Sequence, residues 1–273
     1  MERLRVREAV VAGQFYPGSS RELAAEVDSL MEPKAPRTEA IGCVLPHAGY
    51  MYSGAVAGAT VSRLIVRDHV FLLGPNHTGL GTAFSVMTSG EWRTPLGSVR
   101  IDSGLAGALT CDSDIFSADE QAHAREHSLE VELPFLQRAG KDFSIVPVTI
   151  GTDDEGALKE AGRRIAGLVR ERGITGKTLI VASSDMTHYE PQQSAEKKDR
   201  AAIDAVLSLD ADTLYRVVRQ KDISMCGFAP AVTMLTAVKE LGAKKAELIK
   251  YSTSGDVTGD RSSVVGYAGI IIY

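Results

Sequence analysis

Short apolar runs bounded by glycine, proline or asparagine alternate along this chain with segments of helical periodicity. Four runs are apolar at successive positions: Ile41 to Leu45, Val70 to Leu73, Phe143 to Ile150 and Thr178 to Ala182. Strands that are apolar on both faces belong in a sheet covered by helices on each side. The helical segments between them predict βαβ units. Ala55 to Ile65 predicts a helix, and Glu155 to Arg172 a second, with Leu158, Ala161, Ile165 and Leu168 on one face and Gly173 as its stop. Ala195 to Leu207 and Ala211 to Arg219 predict a helix pair. A further helix over Phe228 to Leu241 carries Pro230 in its first turn, where proline is tolerated. Phe84 to Ile101, with Thr94-Pro95-Leu96-Gly97 at its centre, predicts a hairpin, and Leu248 to Thr253 with Ser263 to Tyr273 a closing strand pair. No Pro-, Gly- or Ser-rich linker and no repeat divides the chain. The expectation is one α/β domain over residues 1–273, a central, largely parallel sheet flanked by helices.

Composition excludes more than it suggests. Thirty Lys and Arg stand against 35 Asp and Glu, a net charge of −5, which argues against a grip on nucleic-acid phosphates. Three cysteines argue against a disulfide framework and fit a reducing compartment. Met1 to Val11 lacks the apolar core and cleavage site of a signal peptide, and no apolar run approaches the ~20 residues of a membrane helix. A cytoplasmic location and no membrane partner are expected.

The scarce residues carry the chemistry. His47, His77 and His188 each fall one to a few residues beyond the end of a buried run. Ligands of open α/β sheets bind outside the carboxyl ends of the strands, so three strands would deliver three imidazoles to one rim. Any one loop histidine is more often solvated than functional; the set of three is harder to explain that way. Cys226, before Gly227-Phe228-Ala229-Pro230, is placed at a helix N-terminus, where the dipole favours thiolate, itself a metal ligand. Spacing alone leaves His188 and Cys226 rivals for one role. Cys43, inside a strand, and Cys111, ending a helical run, are expected to be core thiols.

His123-Ala124-Arg125-Glu126-His127 matches the H-x-x-E-H pattern of zinc peptidases. Ser128 followed by Leu129, Leu133 and Leu136 predicts a helix starting after His127, which would leave the two histidines off a common helix face. Gly173 to Thr178 imitates a phosphate loop, but Glu171 stands where glycine is required and a strand follows instead of preceding. Gly79-Leu80-Gly81 lacks the third glycine of a dinucleotide site, and no G-x-S-x-G elbow occurs.

Several segments together resemble the Memo family, which includes the B component of the AmmeMemoRadiSam system. They are Gly13 to Pro17, Pro46 to Tyr50, Gly74 to His77, Glu126 to Glu130, Ser183 to His188, Met225 to Gly227, Thr253 to Asp260 and Val264 to Ala268. The resemblance spans nearly the whole chain. It implies a fold similar to the class III extradiol dioxygenases and one metal ion on His47, His77 and Cys226. It also implies that His127, Asp185 and His188 line the same pocket as catalytic groups, with Asp185 orienting one of the imidazoles. Tyr50, Asn76, Asp256 and Asp260 become pocket candidates by motif proximity, and His69 and His123 bystanders.

Those dioxygenases hold iron with two His and one Glu, so a Cys in the carboxylate's place softens the site. Iron or copper is favoured, with zinc admitted, and ring cleavage does not follow from the fold. The resemblance thus implies a metal-dependent redox enzyme acting on a small molecule, with a radical-SAM or other AmmeMemoRadiSam protein as partner. A non-catalytic protein holding a peptide or partner in the same pocket is the first rival, and the zinc peptidase the second.

Overall fold

In a computed structural model, which describes residues 5–273, the four apolar runs are the centre of one mixed sheet. The chain begins with β1 (Val6–Arg7), α1 (Ser20–Leu30), β2 (Gly42–Leu45), α2 (Tyr50–Val61) and β3 (His69–Pro75). Next come β4 (Phe84–Val86), β5 (Glu91–Thr94), β6 (Gly97–Ile101), α3 (Ser103–Thr110), β7 (Ser117–Ala118) and α4 (Leu133–Ala139). Then follow β8 (Ser144–Ile150), α5 (Glu155–Glu171), β9 (Thr178–Ser183), β10 (His188–Glu190) and α6 (Gln192–Leu207). The chain closes with α7 (Ala211–Gln220), α8 (Phe228–Glu240), β11 (Ala246–Thr253), α9 (Ser254–Thr258) and β12 (Val264–Ile272).

The strands lie in the order β1-β5-β6-β8-β3-β9-β2-β12-β10, with β11 on β12 and β4 on β8. From β6 to β2 every neighbour is parallel. β12 then runs antiparallel to β2, β10 and β11, so residues 246–273, with β10 at the edge, close that side of the sheet. From β3 the chain places β8 on one side and β9 on the other, and this reversal opens a crevice at the strands' carboxyl ends. α5 lays Leu158, Ala161 and Ile165 inward, is capped by the Asp154 side chain on the Ala157 amide, and is followed by Gly173 at φ 65°, a left-handed conformation that glycine adopts freely. No helix among the described residues is long and apolar enough to cross a membrane.

Three local expectations need correction. The helix expected over 55–65 runs from Tyr50 to Val61, because its small residues are buried nearly all round and leave no periodic face to mark its start. The expected 84–101 hairpin is only β5 with β6; β4 instead pairs antiparallel with β8. Ser128 is not a helix cap: residues 128–132 form turns and α4 starts at Leu133, with Pro134 in its first turn. The reason is tertiary, since Glu130 and Glu132 are both fully buried and a helix from Leu129 would not aim both inward.

Candidate metal centre

β2, β3 and β9 are parallel, so Leu45, Pro75 and Ser183 end at one rim, and His47, His77 and Asp185 follow within two residues. The fourth contribution comes from the start of α8. Gly227 packs so closely on the end of β9 that a Cβ there would overlap the Ser183 carbonyl oxygen and the Ser184 side chain. This approach, available only to glycine, carries Cys226 Sγ to 3.3 Å from His47 Nε2 and lets it accept from the Asp185 amide at 3.2 Å.

Each imidazole is held from behind. His47 Nδ1 meets Ser183 Oγ at 2.7 Å, leaving Nε2 toward Cys226. Glu126 is fully buried; one oxygen accepts from the His77 amide at 2.6 Å, the other from His77 Nδ1 and the Ser128 amide, each at 2.9 Å. A carboxylate on Nδ1 leaves Nε2 as the ligand atom and raises its basicity. The ligand atoms of His47, His77 and Cys226 lie within 4.8 Å of one another, and the His47 to Cys226 spacing suits two ligands of one ion at bonds of about 2.0–2.3 Å. His77, Glu126 and His127 also cluster within that limit, but Glu126 is already occupied by three N–H donors. The donor set therefore fits a metal ion, through His47, His77 and Cys226.

The remaining pocket groups surround these three. His127 stacks on His77 with centroids 4.8 Å apart and packs against Phe15 at 4.9 Å. His188 Nδ1 faces the carbonyls of Met186 and Ser224 at 2.8 and 2.9 Å, so Nδ1 carries its proton and Nε2 is the free nitrogen. Among the described residues Asp185 makes no hydrogen bond to an imidazole, contrary to expectation: its Oδ1 accepts the His47 backbone amide at 2.9 Å. The carboxylate that does orient a pocket imidazole is Glu126. All six predicted residues line one cavity of about 640 Å³, together with Gln14, Phe15, Tyr52, Tyr189, Ser224 and Tyr267.

Gln14 and Phe15 reach the rim through a long-range clamp. Glu130 accepts from Arg7, from the Val10 and Val11 amides and from the Tyr16 hydroxyl. Arg7 also donates to the carbonyls of His123 and Glu126 and lies 4.1 Å over the Trp92 ring.

Burial governs the proton affinities. It holds His47 well below the ordinary imidazole value, helped by repulsion from His127 and His77, and it lowers His127. Burial works the same way on His77, but the Glu126 hydrogen bond and charge outweigh it and the net shift is upward. Burial alone would raise Glu126; its bonds with His77 and two backbone amides bring it down to about 2. Asp185 is pushed up to about 6 by burial. Burial, then the Asp185 carboxylate, push the Cys226 thiol up, so the lowering expected at the helix N-terminus is not found. A coordinated cation deprotonates a thiol outright, which reverses that balance.

The other candidates lie elsewhere. The Tyr50 hydroxyl is buried and donates to the Val131 carbonyl at 2.8 Å. Asn76 closes the 76–80 turn, Asp256 caps α9 and Asp260 binds Ser262. His69 pairs with Asp102 at the opposite end of β3, 2.7 Å away. Cys43 is buried as expected; Cys111 is exposed, at the C-terminal cap of α3. His123 is buried against Trp92, bonds the Ser85 carbonyl at 3.1 Å and is lowered to about 4 by burial. It sits in a short 3-10 turn that ends before His127, so the H-x-x-E-H spacing forms no metal site. Replacing His123 with glutamine is expected to leave metal content unchanged, as metal analysis of the purified variant would show; loss of metal would restore the peptidase pattern.

Tyr189, at the mouth, is 78% exposed and held at φ 58° beside the irregular His188 to Glu190 pairing. A left-handed tyrosine stores strain, so Tyr189→Gly is expected to raise stability by about 1 kcal/mol in urea denaturation. A loss of stability would show that the ring's contacts outweigh the strain.

A family model described as Memo-like protein matches residues 7–271. A MEMO1 family protein of Methanococcoides burtonii is 46% identical over 269 residues, covering 98% of this chain and all of its own length. One from Methanopyrus kandleri is 44% identical over 279 residues, covering 97% and 98%. The crystal structure of uncharacterized protein JW3007 from Escherichia coli K12 superposes with a TM-score of 0.58 at 15% identity, covering 84% of this chain and 98% of that one. That likeness concerns the fold alone.

Proposed function

This chain belongs to the Memo-like family, and on that premise we propose that it is a metal-dependent redox enzyme acting on a small molecule. The observation that carries the reading is the convergence of two imidazole Nε2 atoms and one thiol sulfur on the floor of a cavity. His47, His77 and Cys226 would hold one ion; a thiolate among the donors suits copper(I), zinc or an iron of altered potential, and the redox reading favours iron or copper over zinc. Such an ion supplies one-electron chemistry and open positions for a bound molecule.

The chain's own groups supply the rest. Glu126 fixes His77 and keeps it basic. His188 presents a free Nε2 to the cavity, and His127, kept neutral by burial, can take a proton there. Asp185, raised to about 6, can hold or release a proton near neutrality. Phe15, Tyr52, Tyr189 and Tyr267 supply the apolar walls.

No lysine or arginine lines this cavity among the described residues, so a molecule without net negative charge suits it better. The same fact weighs against a phosphopeptide as the ligand. A radical-SAM protein is the proposed partner, as source or consumer of the small molecule.

The test is anaerobic loading of the purified protein with Fe(II), Cu(I) or Zn(II), followed by metal analysis. One ion per chain is expected; binding of none of the three removes the basis of the proposal. Oxygen uptake by the iron-loaded protein with a panel of catechols then tests the dioxygenase-like branch, which an absence of uptake would eliminate.

A further inference from the structure

Behind His47 lies a line of buried polar groups. Ser183 Oγ stands 2.7 Å from His47 Nδ1, 2.8 Å from the Ser128 carbonyl oxygen and 2.9 Å from Glu132 Oε1. One serine hydroxyl has one proton to give, and a carbonyl can only accept. For all three contacts to be hydrogen bonds the hydroxyl proton must go to the Ser128 carbonyl, so His47 Nδ1 carries the imidazole proton and donates to Ser183 Oγ. The third contact is a hydrogen bond only if Glu132 donates it.

The surroundings of Glu132 agree with that proton count. The residue is fully buried, forms no ion pair among the described residues, and its second oxygen has no partner. A charged carboxylate there would be desolvated and uncompensated. Burial drives its proton affinity up against the opposing pull of the Ser183 contact, and the nearby Asp185 charge adds to the rise.

We propose that Glu132 is a neutral carboxylic acid which, through Ser183, locks His47 in the Nδ1–H tautomer and so aims Nε2 at the metal position. Glu132 and Ser183 are positioning residues, and their role rests on the reading of His47 as a ligand. The two histidines are thereby supported in opposite ways. His77 leans on an ionised carboxylate in direct contact, whereas His47 leans on a hydroxyl backed by an uncharged acid.

The first arm of the test uses metal-free protein. Infrared spectra at neutral pH should contain a protonated-carboxyl band that disappears in Glu132→Gln; its absence from the wild type overturns the proposal. Nitrogen-15 NMR should find His47 as the Nδ1–H tautomer in wild type, in Glu132→Gln, whose amide can still donate to Ser183, and in Ser183→Thr, which keeps the hydroxyl. Ser183→Ala should lose that preference.

In the second arm, metal titration should show affinity falling roughly 10–100-fold in Ser183→Ala and unchanged in Glu132→Gln. An equal loss in Glu132→Gln would mean that the charge of Glu132 matters, contrary to the proposal. A wild type with the band and the tautomer but no affinity for metal would sink the metal reading and leave the tautomer lock standing.

Discussion

Serine in place of Cys226 is expected to abolish stoichiometric metal binding. The substitution is nearly isosteric and keeps the weak hydrogen-bond environment formed by the Asp185 amide and carbonyl. What it removes is the only soft donor of the three and the only one able to become an anion on binding. The loss should therefore exceed the roughly 10–100-fold that removal of an outer partner costs. Competition titration against a chelator of known affinity measures it, with circular dichroism as the check on folding. Wild-type affinity in a folded variant would return Cys226 to the status of a buried thiol and move attention to His77, Glu126 and His127.

The second large effect concerns Glu126. Its carboxylate accepts three N–H donors while fully buried, and glutamine at that position must turn its own amide toward at least one of them. A shift from the ordinary 4.5 to about 2 corresponds to about 3 kcal/mol. Because the folded-state value is depressed, the unfolded chain binds the proton first as pH falls. The stabilisation is therefore complete above about pH 4.5 and is lost progressively toward pH 2. Urea denaturation of the metal-free protein should find Glu126→Gln less stable by about that amount at pH 7, with the difference shrinking across this acid window. A difference that stayed constant from pH 7 down to the acid limit would show that Glu126 is not held ionised by these bonds.

The sheet and half of the site were legible because both depend on local pattern. An unbroken apolar run marks a central strand, its end marks the rim, and His47, His77 and Asp185 lie just past such ends. The choice between His188 and Cys226 was not legible from periodicity. It turns on how closely Gly227 packs against the end of β9, a contact between segments some 40 residues apart. The resemblance to the Memo family, not the spacing, ranked them. Glu126 was visible only inside a misleading peptidase pattern, and Glu132 was assigned to a helix that begins a residue later. Phe15 stands in a quoted motif, but its place at the rim depends on Arg7 and Glu130, which are 123 positions apart. The thiol's proton affinity is hidden from the sequence for a related reason, since helix polarity can be read there and desolvation cannot.

His47 and Cys226 are separated by 179 positions along the chain. On a ribosome the two histidines of the proposed site emerge long before its sulfur, and the three groups come together only once the start of α8 has docked on the finished sheet. An ion held by all three groups cannot nucleate folding of an early segment. If the three groups hold an ion as proposed, loading would be an event of the completed chain, and the ion would stabilise the whole fold by mass action instead of protecting one part of it.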